Sequence, residues 1–148
     1  INDAVDFMEP VADAREQPLQ ISLPEHAHLL GHRDLLFQLL INLLDNAIKF
    51  TPVGGRIRLA LASQGSSWQL TIADSGPGIP EAEHQKVFAR LYRLDATRQT
   101  PGLGLGLSLV QAVTTLHQGS ISLSAAATET RLPHEQEGLC IAILLPKS

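Results

Sequence analysis

Between Asp34 and Thr51 the chain reads DLLFQLLINLLDNAIKFT, where Leu, Ile, Phe and Ala surround a narrow set of polar positions. At about 100° per residue, Gln38, Asn42, Asp45, Asn46 and Lys49 fall within an arc of roughly 100°, which predicts a helix with one polar stripe. Asp34 offers an N-cap oxygen, and Thr51-Pro52 stops the helix because proline disfavours helical geometry in the residue before it. The predicted span is Leu35 to Phe50.

The same periodicities organise the rest of the chain. Ile1, Val5, Met8, Val11 and Ala12 recur at helical spacing, predicting a first helix that is bent or weakened near Pro10 and finished by Pro18. Gln20 to Leu23 and His28 to Gly31 read as two brief strands separated by Pro24. After Gly54-Gly55 the period becomes two. Ile57, Leu59 and Leu61 alternate with Arg58, Ala60 and Ala62, and Trp68, Leu70 and Ile72 continue the pattern beyond Gly65-Ser66, which makes a hairpin. A helix is expected from Pro80 to Val87 and another from Leu105 to His117. Ile121, Leu123 and Ala125 mark a strand, and Leu139, Ile141, Ile143 and Leu145 a last one after the polar loop Thr128 to Gly138. Together these predict one domain, an α/β (α+β) two-layer sandwich whose mixed, mostly antiparallel sheet of about five strands is covered by about three helices.

Composition narrows the function classes. With 148 residues, the chain is long enough to bury about 70% of its unfolded surface in a single core. No apolar run approaches the roughly 18 residues of a membrane-spanning helix. A net charge of −4 argues against sequence-independent binding to nucleic acid or to an anionic membrane. Charge is uneven, however: from His84 to Thr128 Lys86, Arg90, Arg93 and Arg98 face Asp95 alone, which could suit a small anion or be an ordinary solvated surface. Cys140 stands by itself in LCIAILL, so no disulfide framework is possible, a buried thiol is expected and a cytosolic compartment fits. The histidines show no zinc spacing. The chain opens on Ile1 with no initiator Met and no signal-peptide pattern, as expected of a piece of something larger.

Three stretches can carry chemistry. The polar stripe of the 35–50 helix is either a solvent face or a binding surface. Its two asparagines are mediocre helix formers, an Asn oxygen can ligate a hard cation such as Mg²⁺, and Lys49 could meet a phosphate. In TIADSGPGIP, residues 71–80, an apolar strand ends at Asp74 and breaks into a glycine turn. That is either a generic hairpin end or an acceptor aimed at a donor such as the adenine amine, with Gly76 and Gly78 allowing a flat ring to approach. In PGLGLGLSLV, residues 101–110, no Lys-Ser or Lys-Thr follows the glycines, which excludes a Walker loop, and the dinucleotide fingerprint fails in either register. What remains is a flexible linker or an anion site made of Gly102, Gly104 and Gly106 at a helix start.

The order of these stretches is more specific than any one of them. An amide-bearing helix, a strand ending in D-x-G-x-G, Phe88 with neighbouring arginines, and G-x-G-x-G at a helix start resemble the asparagine, first glycine, phenylalanine and second glycine boxes of the sensor histidine kinase ATP-binding domain. The resemblance runs from about Phe7 to Pro146. It implies the Bergerat fold, shared with type II topoisomerases, Hsp90 and MutL-like proteins. It also implies ATP and Mg²⁺ as cofactors. Asn46 would ligate Mg²⁺, Lys49 would contact phosphate, Asn42 would support that region, and Phe50 would line the pocket. Asp74 would accept from adenine, with Gly76 and Gly78 beneath the ring and Ile79 beside it. Phe88 and Tyr92 would anchor a lid over residues 90–105, from which Arg93 and Arg90 would reach the terminal phosphates. Gly102, Gly104, Leu105, Gly106 and Leu107 would form its phosphate-proximal end.

The resemblance further implies that residues 1–18 are a helix and linker from an upstream dimerisation domain. That domain would carry the acceptor histidine, since none of His26, His28, His32, His84, His117 or His134 fits the family's H-[ED]-x-x-[TN]-P pattern. Partners would be that domain and a response regulator. The fragment would be monomeric, the full protein homodimeric, and the location cytoplasmic within a membrane-anchored sensor. In hydrolytic branches of the superfamily a glutamate one turn before the metal-binding Asn activates water. Asn42 holds that place here and cannot act as a general base at neutral pH. Asn42, Lys49 and Arg93 are thus the residues implied in catalysis. Pro101 departs from the small or polar residue usual there, and the lid is short. The competing readings are a degenerate nucleotide-binding or protein-interaction module and a hydrolytic relative.

Overall fold

The structure, a computed structural model, describes residues 1–76, 82, 106–124 and 138–147. In chain order the elements are α1 (Asn2–Ala14), β1 (Leu19–Ser22), α2 (Arg33–Phe50), β2 (Ile57–Gln64), β3 (Ser67–Asp74), α3 (Gly106–Leu116), β4 (Ser120–Ser124) and β5 (Leu139–Pro146). The helix expected at Pro80 to Val87, the lid at 90–105 and most of the 128–138 loop lie outside the described residues.

The strands form one five-stranded sheet in the order β1-β2-β3-β5-β4. β1 and β2 are parallel and the other pairs antiparallel, so the mixed, mostly antiparallel sheet read from the sequence is the one observed. Register explains which face is apolar. Leu59, Ile72, Ile141 and Leu123 lie in one row across the sheet, and Leu61, Leu70, Ile143 and Ile121 in the next. Because side chains alternate between faces, these rows share one side. They pack with Leu39, Leu40, Leu43, Leu44, Ala47 and Ile48 of α2, with Ala4, Val5, Met8 and Ala12 of α1, and with Val110 and Val113 of α3. Leu44, Leu59 and Ile143 are completely buried there. α2 is the central helix, in contact with α1, α3 and β3.

Local expectations fail where tertiary partners intervene. No strand forms at His28 to Gly31. β1 already takes the edge beside β2, and the segment instead passes over the sheet end, where Trp68 Nε1 donates to the His28 carbonyl at 2.9 Å. Nor does Asp34 cap α2: the N-cap residue is His32, and Asp34 sits in the first helical turn, where its charge still suits the helix dipole. The earlier start follows from His117, whose Nε2 accepts the His32 backbone N–H at 3.0 Å and fixes the entry of the chain. α1 continues through Pro10 and ends at Ala14. Cys140 is half-buried rather than buried, and burial pushes its thiol up from the ordinary range.

Both α1 and α3 end in the same motif. After α1, the Gln17 N–H donates to Ala12 and the Glu16 N–H to Asp13, both at 3.0 Å; after α3, Gly119 donates to Thr114 and Gln118 to Thr115, both at 2.9 Å. These paired bonds are a Schellman cap, which requires a left-handed residue and normally uses glycine. Here Glu16 and Gln118 adopt φ of 55° and 59°. Relieving that strain with Gln118→Gly is expected to stabilise the domain by about 0.5–1 kcal/mol. A urea midpoint that rises at unchanged slope would bear this out, whereas a lower midpoint would count against the cap.

Candidate functional site

The polar stripe of α2 is not a uniform solvent face. Lys49 Nζ lies 2.8 Å from Asp45 Oδ2, one turn back, with the two side chains 37% and 35% exposed. Such a partly solvated i,i+4 pair is worth about 0.3–0.5 kcal/mol, weak enough to be exchanged for a stronger anionic partner. Asn42 Nδ2 donates to the Gln38 carbonyl at 2.9 Å, so its amide nitrogen is committed to its own helix. Asn46 is half-buried beneath the first turn of α3: a Cβ on Gly106 would stand 3.1 Å from its Nδ2 and 3.3 Å from its Oδ1. A glycine there lets the positive end of α3 come down onto the Asn46 amide.

Asp74 owes its position to the alternation of β3. Trp68, Leu70, Ile72 and Asp74 share one phase, and Asp74 is in register with Ile57 and Leu139. A carboxylate therefore occupies a core-facing place where the pattern expects a hydrophobe. Burial raises its pKa to about 6, against the opposing pull of backbone N–H groups from Gly76 and Leu139. Gly76 donates to Oδ1 at 2.9 Å. The turn beyond is pinned as well. Ser75 N–H donates to the Arg56 carbonyl at 3.1 Å, and Ser75 Oγ accepts the Arg56 N–H at 2.9 Å.

Gly76 joins the strand end to the helix. A Cβ at this position would lie 2.6 Å from the Phe50 carbonyl oxygen and 3.1 Å from Asp74 Oδ1, so only glycine fits without displacement. Gly106, Asn46, Phe50, Gly76 and Asp74 are thus brought together along the C-terminal half of α2. Leu107, next to Gly106, is partly buried against the core. Gly78, Ile79, Arg90, Tyr92, Arg93, Gly102, Gly104 and Leu105 lie outside the described residues.

Among the described residues no cluster of three or more His, Cys, Asp or Glu could hold a metal ion. The stripe instead offers neutral amide oxygens, which suits Mg²⁺, a cation that takes few protein ligands and completes its shell with phosphate oxygens and water. Two contributors escaped the reading of the sequence. The Asp45 pair was available from i,i+4 spacing. Gln17, buried at the end of α2, carries no local signal.

The chain is similar to known proteins over most of its length. Residues 31–148 match the profile of the family described as histidine kinase-, DNA gyrase B-, and HSP90-like ATPase. The adaptive-response sensory kinase SasA of Synechococcus sp. (strain JA-3-3Ab) is 47% identical over 89 residues, which covers 60% of this chain and 24% of that protein. Sensor protein kinase PmrB of Pseudomonas aeruginosa is 32% identical over 147 residues, 98% of this chain and 29% of its own length. Among solved structures, the mycobacterial sensor histidine kinase MprB superposes with a TM-score of 0.85 at 32% identity, covering 98% of this chain and 94% of that one. The chain therefore spans less than a third of these curated relatives.

The burial of Asp74 has a measurable sign. Between its ordinary value of 3.8 and about 6 the folded protein retains a proton that the unfolded chain has released, so this group's contribution to stability falls as pH rises through that window. Above it the folded state carries a buried charge. Asp74→Asn is expected to stabilise the ligand-free domain by about 1–2 kcal/mol near pH 8, with the difference vanishing near pH 4. Urea unfolding at the two pH values checks this, and a variant less stable than the parent near pH 8 would contradict it.

Proposed function

The chain belongs to the histidine kinase-, DNA gyrase B- and HSP90-like ATPase family, and on that premise we propose that it is the Mg-ATP-binding catalytic domain of a two-component sensor histidine kinase. It donates the ATP γ-phosphate to a histidine on a separate dimerisation domain, and a response regulator receives it in turn. The observation that carries this reading is Asp74, a half-buried acceptor at the end of β3, held by Gly76 against the end of the amide-bearing helix.

Bound Mg-ATP supplies the transferable phosphoryl group and the metal charge that offsets its oxygens. The residues supply placement. Asp74, ionised above about pH 6, accepts from the exocyclic amine of adenine and repels the oxygen that guanine carries there. Phe50, Gly76, Gly78 and Ile79 border the base. Asn46 gives an oxygen to Mg²⁺, Asn42 supports it, and Lys49 leaves Asp45 for phosphate. The first turn of α3, with Gly106 and Leu107, favours the anionic end of the nucleotide, as do the lid residues Arg90, Arg93, Gly102, Gly104 and Leu105, while Tyr92 anchors the lid. Asn42 cannot take a proton from water, so hydrolysis is slow and the phosphoryl group is kept for its acceptor. No described helix is long and apolar enough to cross a membrane. We assign the domain to the cytoplasmic side of a membrane-anchored, homodimeric sensor, the domain itself being monomeric and having no nucleic-acid partner.

Titration calorimetry with Mg-ADP tests the pocket. Asp74→Asn is expected to weaken binding at least about thirtyfold, because its amide presents a donor where adenine also donates; unchanged affinity would overturn the assignment. Incubated alone with γ-labelled ATP, the chain is expected to acquire no label. Label on the isolated chain would refute the separate acceptor, and steady release of phosphate would favour a hydrolase.

A further inference from the structure

The turn between α1 and β1 is bound to a stretch of chain more than thirty residues away. Gln17, 1% exposed, directs Nε2 at three carbonyl oxygens around the end of α2: Ile48 at 3.1 Å, Thr51 at 2.7 Å and Pro52 at 3.3 Å. Arg15 donates from a terminal guanidinium nitrogen to the same Thr51 oxygen at 3.1 Å. In the backbone, Gly54 N–H donates to Arg15 at 3.1 Å and Ile57 N–H to Pro18 at 3.3 Å.

The chemistry explains why a donor is needed. In a continuing helix the Ile48 carbonyl would accept from the N–H of residue 52, and residue 52 is a proline without one. Thr51 N–H still bonds Ala47 at 3.0 Å, so the ladder runs out one step before Gln17 takes over. Among the described residues only the donor half of the amide is used, since Gln17 Oε1 is buried with no hydrogen-bond partner there. An inverted amide would set oxygen against three carbonyl oxygens, which fixes its orientation.

We propose that Gln17 is a positioning residue for the nucleotide pocket: by replacing the missing Pro52 donor it sets the end of α2, and through the contact of Phe50 with Gly76 it sets Asp74. Asn46, Lys49 and Phe50 lie in the two turns that it terminates. The proposal rests on the reading of that end as the nucleotide site. It also gives the segment that follows α1 a direct mechanical hold on the pocket, by bonds to carbonyls rather than by contact with ligand.

The test uses three substitutions of Gln17 and one control. Gln17→Leu removes the donor, Gln17→Glu keeps the length but presents only acceptors, and Gln17→Lys restores a donor. Ile121→Ala, on β4 at the sheet edge opposite β1, lowers stability while leaving every hydrogen bond of Gln17 in place. In ¹H–¹⁵N spectra of the ligand-free chain, Gln17→Leu and Gln17→Glu are expected to move the amide signals of Gly54, Ser75 and Gly76. Their Mg-ADP affinity, measured well below each melting midpoint, is expected to fall about tenfold, with Gln17→Lys within about threefold of the parent and Ile121→Ala unchanged. Stationary Ser75 and Gly76 signals, parental affinity in Gln17→Leu and Gln17→Glu, an equal loss in Gln17→Lys or an equal loss in Ile121→Ala would each overturn the proposal. If the parent itself binds no Mg-ADP, the nucleotide reading fails while the spectra still decide the coupling.

Discussion

A helix that stops at a proline leaves carbonyls without their next donors, and the way this chain resolves that problem at the end of α2 organises everything around it. Pro52 ends the helix and forces Thr51 into an extended conformation, with ψ of 132°. Two of the freed carbonyls, Ile48 and Thr51, are claimed by Gln17, and the Phe50 carbonyl lies so close to Gly76 that a Cβ there would not fit. Three segments distant in sequence therefore meet at one helix end. A pocket built there inherits its geometry from hydrogen bonds that have fixed directions, and a buried carbonyl left unpaired would cost about 1–3 kcal/mol. This is a stronger constraint than packing alone.

The core supports that arrangement from below. Leu43, Leu44, Ala47 and Ile48 lock α2 onto the sheet, and the intervening Asn42, Asp45, Asn46 and Lys49 are consequently held at one rim. β3 adds the opposite wall by ending its inward phase in Asp74. The residue is unfavourable for folding when ionised, because burial disfavours its charge. An acidic side chain kept at that cost in a core-facing register is understandable when the carboxylate has a partner to meet, which is the role proposed for it above.

Legibility in the sequence followed the range of the interaction. The 35–50 helix, the hairpin and the last strand were readable because their signals, apolar periodicity and breaking residues, are carried by neighbours in the chain. The strand expected at His28 to Gly31 and the cap expected at Asp34 were not realised. Both depended on what else reached that region, namely Trp68 and His117. The family was legible as an ordered set of motifs. The internal bonds of the site were only partly so: the Asp45–Lys49 pair follows from helical spacing, whereas nothing local distinguishes Gln17 from any polar residue after a helix.

By itself, then, the sequence determined the main helices and strands of the core, the alternating faces of the sheet, and the family to which the order of its motifs belongs. Each of these is encoded in spacing along the chain. Only the tertiary structure decided that Asp74 lies between Ile57 and Leu139, that Gly106 rests on Asn46, that Gly76 meets Phe50, and that Gln17 stands in for the N–H that Pro52 lacks. Those facts depend on which distant groups share a volume, and that is settled by the register of the sheet and the packing of helices across it.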